Sequence, residues 1–274
     1  VAFLIVQVVT GLITGSLALL SDAGHMTTDA IGMGMALAAI RLASMARQRP
    51  HRTFGLYRLE ILAALANALL LIGVAAYVLY EAVARLRDAR DVDSVPVLVV
   101  GAIGLAVNLV AFALLRAGAK ESLNVRGAYL EVLSDTLGSV GVIVGAVVWG
   151  ITGWTWVDPV IGAGIGVFIL PRATRLGREA LRILLQAAPP SIDVAAVQGD
   201  LEAIPGVVEV HDLHVWTLTS AMDVASAHIV VKSTSDTHSV LDRARFVLGD
   251  RHGLAHATLQ VEPDDHHGCE EVNW

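Results

Sequence analysis

Charge is scarce in this chain. Of 274 residues, 16% are charged and 55% are hydrophobic, and the mean hydropathy is +0.64. That balance is far from a soluble globular average and excludes a soluble enzyme. Cysteine is almost missing: Cys269 stands alone, so no internal disulfide forms and a secreted disulfide scaffold is excluded. The chain opens on Val1, with no Met and no basic leader before the first apolar run, so the expectation is a start inside a first helix with preceding residues missing. Long runs lack charge altogether or nearly so: 1–20, 61–80, 95–115, 137–157 and, more weakly, 160–170 with its flanks. Each is of a length to cross a bilayer, which needs about 20 apolar residues. A further run, 20–43, is apolar except for Asp22, His25, Asp29 and Arg41.

The charge that is present is unevenly placed. Residues 1–189 carry 15 Lys and Arg against 12 Asp and Glu, whereas 190–274 carry 4 against 14. Eight of the ten histidines also fall in the second part. The change comes at Ala188-Pro189-Pro190, so a membrane domain over 1–189 and a soluble acidic domain over 190–274 are expected, joined at the Pro-Pro hinge. The expected fold is a membrane all-α six-helix bundle followed by an α+β domain. Arginines concentrate in the 2–3 loop, the 4–5 loop and the end of helix 6, while the 1–2 and 5–6 turns have no Lys or Arg. The positive-inside rule then puts the tail in the cytoplasm. In the tail, a helix over 193–203, strands over 207–218 and 224–232, a helix over 236–250 and a strand over 255–262 predict an open-faced α+β sandwich.

Two spans hold charges, which are costly in a bilayer and mark function. Helix 2 carries His25 and Asp29, and helix 5 carries Glu131 and Asp135. Residues four apart lie one above the other on a helix face, so each helix offers two ligands on one side. If the faces meet, one imidazole and three carboxylates converge. Three anions in low dielectric repel, so a divalent cation or protons must neutralise them. Four nitrogen and oxygen ligands suit tetrahedral zinc. Asp22 is open between capping near the 1–2 turn and a role in cation entry or exit. Asn67 and Asn108 are expected to bond across helices, and Glu60 and Glu81, at the ends of helix 3, are expected to face water. Glycine pairs 11/15, 141/145 and 162/166 have the spacing for close helix contact. No His-Glu-x-x-His pair, nucleophile elbow or phosphate loop supports an enzyme.

Several runs carry a family resemblance. They are 16–29 with Ser21-Asp22-Ala23-Gly24-His25-Met26-Thr27-Thr28-Asp29, and 124–135 with Gly127-Ala128-Tyr129-Leu130-Glu131 and Asp135. Phe54-Gly55 with Arg58-Leu59-Glu60, Val210-His211-Asp212-Leu213-His214-Val215-Trp216 and Ala227-His228-Ile229-Val230-Val231 complete the set. On these residues the chain resembles the cation diffusion facilitators, over nearly its whole length. The resemblance implies a multi-pass cell membrane protein with six helices, a ferredoxin-like (metallochaperone-like) tail and a homodimer. It also implies efflux of a divalent metal, zinc above all, in exchange for protons, with no nucleic-acid partner. The transport site it implies is His25, Asp29, Glu131 and Asp135. One departure is Glu131, where the zinc branch is expected to have His. It makes the site harder and admits cobalt, cadmium, iron or manganese; a passive channel is the alternative mode. His211, His228 and His238 match tail positions that bind metal in the family, with Gln260 and Glu262 where further ligands fall. A metal site and ordinary surface histidines both remain open for the tail. On a regular strand His211 and His214 point to opposite faces. Asp264-Asp265-His266-His267-Gly268-Cys269-Glu270 is a ligand-rich end, read as a disordered acidic tip.

Overall fold

A computed structural model describes residues 2–46, 54–88, 91–118, 123–220 and 222–265. Most of the ligand-rich end, from His266 on, lies outside the described residues. Six helices come first, the first of them short: α1 (Ala2–Thr14), α2 (Leu17–Ala46), α3 (Arg58–Arg87), α4 (Ser94–Gly118), α5 (Leu123–Thr152) and α6 (Val157–Leu184). Among the described residues, α3 to α6 each contain a stretch long and apolar enough to cross a membrane. Helix α2 has 30 residues, ample length for a span, but Asp22, His25 and Asp29 interrupt its apolar character.

The α1–α2 turn is tight because Gly15 adopts a φ of +69°. The first amides of α2 have no partner in their own helix, and a carboxylate from another helix supplies it. Asp158, at the start of α6, accepts hydrogen bonds from Leu17 N (2.6 Å), Ala18 N (3.3 Å) and Ser16 Oγ (2.5 Å). Arg85 of α3 donates to the Gly15 carbonyl and to Glu81 Oε1 at 2.9 Å. Glu81 therefore pairs with arginine instead of facing water as the sequence suggested, because a buried guanidinium beside it needs an anion. Helices then approach through glycines. A Cβ on Gly162 would stand 3.0 Å from Leu17 Cγ, and one on Gly11 2.9 Å from Leu20 Cδ2. Such small-residue contacts replace the hydrophobic drive that is lost in lipid. Asn108 bonds across to Ser139 Oγ at 3.1 Å, as expected of it.

The chain divides into two units by its contacts: Val1–Leu37 with Ala63–Gly177, and Ala38–Leu62 with Arg178–Trp274. The second unit contains α7 (Val194–Glu202), β1 (Val207–Thr219), β2 (Met222–Val231), α8 (Thr237–Phe246) and β3 (His256–Pro263). Helix α8 runs on as a π-helical turn over Val247–Arg251. Asp193 and Asp236 cap α7 and α8 by accepting from backbone amides. The sheet order is β1-β2-β3, a hairpin followed by a parallel pair; the parallel pairing needs the α8 crossover. Val197, Leu201, Ile229, Leu248 and Leu254 are buried in one core. Truncating one such side chain to Ala costs about 2–5 kcal/mol. Alternation along β2 buries Ala225, Ala227, Ile229 and Val231 and leaves Ser226, His228 and Val230 on the other face.

Two expectations are corrected here. Glu60 does not simply face water: its carboxylate accepts from Thr219 Oγ1 (2.9 Å) and Ser220 Oγ (2.8 Å) at the hairpin end, within the same unit. His211 and His214 are not on opposite faces. Asp212 has a φ of 50°, and the register moves from His211↔His228 to His214↔Ser226. This bulge inserts one extra residue and resets the alternation, so both histidines stand on the face of His228.

Candidate metal centres

Helix α2 stacks His25 and Asp29 one turn apart, and α5 brings Asp135 against them. His25 Nδ1 lies 3.5 Å from Asp29 Oδ2, and His25 Nε2 lies 3.4 Å from Asp135 Oδ1. Each of the three residues offers an atom within 4.8 Å of the others. The buried His25 Nδ1 and Asp135 Oδ1 make no hydrogen bond. Buried polar atoms are normally satisfied, so unpartnered atoms in a cluster of one imidazole and two carboxylates fit a cation. With neutral imidazole, two carboxylates give the cluster a charge equal and opposite to a divalent ion.

Glu131 is on the same helix as Asp135 but outside this three-residue cluster. Its Oε1 lies 2.5 Å from a guanidinium nitrogen of Arg172 in α6. Arg172 was read from sequence only as part of a basic helix end. Its signal was position: it follows directly on the apolar run 160–170, one residue beyond Pro171, at a depth where an unpaired cation is costly. Gln7 was missed as well. It is a buried amide in an otherwise apolar α1, and its Nε2 donates to Asp22 Oδ2. Asp22 is thus no cap of α2, since Asp158 has that role. Asp22 lines a cavity of about 500 Å³ together with His25, Asp135, Gly138, Gly164 and Phe168. Gly138 is needed there, because a Cβ would sit 2.9 Å from Asp22 Oδ1.

A second cluster lies on the open face of the sheet. His211 and His228 are direct cross-strand partners with ring centroids 5.1 Å apart, edge to face. Glu262 of β3 is buried beside them, with Oε1 2.8 Å from His228 Nδ1 and Oε2 3.8 Å from His211 Nε2. Gln260 Nε2 donates to Glu262 Oε1 at 2.8 Å and so orients the carboxylate instead of joining the cluster. His238 is placed elsewhere. It is exposed on α8, 3.5 Å from Asp242 one turn on.

Comparison with known proteins divides the chain into two matched segments. The family model for the cation efflux transmembrane domain matches residues 1–185, and that for the cation efflux protein cytoplasmic domain matches 189–264. The metal cation efflux system protein CzcD of Cupriavidus metallidurans is 47% identical over 261 residues, 95% of this chain and 82% of that protein. The zinc transporter ZitB of Escherichia coli is 38% identical, over 97% of this chain and 85% of that one. The cadmium, cobalt and zinc/H(+)-K(+) antiporter of Bacillus subtilis is 37% identical, over 96% and 86%. A solved structure of the metal-bound C-terminal domain of the CzcD transporter is 35% identical, over 26% of this chain and 99% of that one, with a TM-score of 0.25. These proteins are metal transporters and not enzymes, and with two family models covering nearly all of its length this chain belongs to the cation diffusion facilitator family, as a multi-pass membrane protein with a cytoplasmic C-terminal domain.

Proposed function

We propose that the protein exports a divalent metal, zinc first, from the cytoplasm in exchange for protons, by alternating access around His25, Asp29 and Asp135, with Glu131 as a fourth ligand. The observation that carries this reading is the convergence of one imidazole and two carboxylates from two spans, with buried atoms that lack hydrogen-bond partners. A cluster of this kind must hold a cation or protons, because uncompensated anions in low dielectric are prohibitive. The two fillings are therefore alternatives, and their exchange is antiport. Relatives named for zinc, for cadmium, cobalt and zinc, and for proton exchange support the same direction. Glu131 in place of a second histidine widens the metal range toward cobalt, cadmium, iron and manganese. Channels favour rings of groups along a pore, and one tight cluster fits exchange better.

The membrane domain spans 1–189 in this reading. Residues 190–274 form a cytoplasmic domain that dimerises and binds metal through His211, His228 and Glu262, with regulation as its role. His238 belongs to that set only by its family position. Purified protein in liposomes tests the transport reading. An imposed proton gradient drives zinc uptake, and zinc movement in turn moves protons. Zinc flux indifferent to the gradient would instead mean a channel.

A further inference from the structure

The side chains around the helix cluster form three layers along the membrane normal. Helix α2 runs inward and α5 runs outward, at 1.5 Å per residue. Asp22 thus lies one turn outside His25, while Asp29 and Glu131 lie one turn to the cytoplasmic side of His25 and Asp135. The cavity of about 500 Å³ extends from His25 and Asp135 outward past Gly138 to Val160 and Ile161, near the outer start of α6. On the other side stands the Glu131–Arg172 pair, which does not line that cavity. Arg172 is placed where α6 can give way, because Pro171 inside the helix removes one backbone hydrogen bond.

We infer that Arg172 is a positioning residue for transport: its ion pair with Glu131 latches the cytoplasmic side of the site, and the latch opens when Glu131 leaves the guanidinium to coordinate the metal. This rests on the transport-site reading above. A guanidinium stays protonated at any working pH, so the latch itself carries no proton. It is a tethered cation that competes with the cargo for one carboxylate. While Arg172 holds Glu131, the cluster of His25, Asp29 and Asp135 carries the charge of two carboxylates. When Glu131 joins, a fourth ligand and a third anion arrive together, at the moment the entry side must accept a dication. Entry is favoured by that added charge, and release outward is favoured by its withdrawal.

The consequence is a split that a merely structural arginine would not produce. If the latch leaves Glu131 free about one-tenth of the time, apparent affinity is lowered about tenfold. Arg172→Gln in the full chain should therefore bind Zn²⁺ about tenfold more tightly by titration in detergent, yet transport it several-fold more slowly in liposomes, since release is no longer assisted. The double-mutant cycle with Glu131→Gln isolates the pair: the tightening should vanish when Glu131 is already replaced. Arg172→Lys, a point charge of shorter reach, should show the same split at smaller size and gives the answer if Arg172→Gln does not fold. Unchanged or weaker Zn²⁺ binding in both Arg172 variants would overturn the latch. Equal tightening in the Glu131→Gln background would overturn it too, by showing general repulsion instead of competition. His25→Ala and Asp135→Ala are the control. If, with the sheet site removed by His228→Ala, they bind Zn²⁺ as tightly as the chain carrying His228→Ala alone, the transport-site reading fails, whatever Arg172 does.

Discussion

The two ligand clusters hold the same number of groups on opposite scaffolds and with inverted composition. In the helices the set is one histidine and two aspartates; on the sheet it is two histidines and one glutamate. The helix set takes two of its members from a single turn of α2, while the sheet set takes one from each of three strands. Composition decides how each behaves without a cation. Two carboxylates set in membrane-spanning helices call for a compensating positive charge, which under the proposed transport is metal in one state and protons in the other. Two imidazoles beside one carboxylate that already accepts from Gln260 can persist on the open face of a sheet. The first arrangement suits exchange and the second suits holding. Softness runs the same way, since imidazole favours zinc-like ions and carboxylate favours harder ones.

The comparison breaks most visibly if the helix cluster proves dispensable. His25→Ala, Asp29→Ala and Asp135→Ala should each reduce zinc transport by more than the roughly 10–100-fold cost of losing an outer hydrogen-bond partner of a metal ligand. The chain should remain folded, as judged by size-exclusion behaviour and helix content. Retained transport by Asp29→Ala or Asp135→Ala would refute the site.

Next in size is the exchange that makes the helix cluster more like the sheet. Glu131→His adds a second imidazole and removes an anion. It should favour zinc over manganese by about tenfold relative to the unaltered chain, which is ~1.4 kcal/mol. Zinc binding should also depend more steeply on pH between about 5 and 8, where imidazole titrates. Competition binding at several pH values checks both. The same metal ranking and the same pH dependence would place Glu131 outside the metal's ligand set.

How far each cluster could be read in advance follows from its scaffold. The i, i+4 spacing within α2 is local, so the stacking of His25 on Asp29 is visible in a string of letters. The meeting with Asp135 needs only that two charged faces share a membrane. The helices and strands were legible too, because apolar runs and alternation are local signals. Glu131 shows the limit of such local signals. Spacing put it beside Asp135, but its contact is with Arg172, 41 residues away, and no local pattern carries that. The sheet cluster depends on register, and a bulge at Asp212 overrides the simple alternation that would have separated His211 from His214. Asp158 capping a helix 141 residues earlier in the chain is likewise invisible to any local rule.

A smaller effect is expected from the sheet. His228→Ala should remove metal binding there, yet lower transport only about fivefold, the low end of coupling between separate sites. Loss of transport as complete as that of Asp135→Ala would erase the distinction between exchanging and holding.

The smallest effect belongs to Asp264, just beyond β3, and it separates fold stability from metal chemistry in the sheet domain. The Ser233 hydroxyl and then the Ser233 amide donate to its carboxylate, which holds its pKa below the usual carboxylate range. Its own amide donates to the Val231 carbonyl at 2.8 Å, so the same residue ties the end of β3 to the end of β2. Because the folded pKa is depressed, the carboxylate's contribution is fully present above the unfolded value of about 3.9. It is lost as pH falls from there through the folded value. Asp264→Asn keeps the shape and an acceptor at Oδ1, where both Ser233 donors meet, and removes the charge that strengthens those two hydrogen bonds. The variant should therefore unfold at slightly lower denaturant concentration at neutral pH. The gap between the two proteins should close as pH is lowered below about 4. Metal binding at His211, His228 and Glu262 should not change. A gap that persists unchanged to low pH would mean that the ionised carboxylate is not what fastens this end of the sheet.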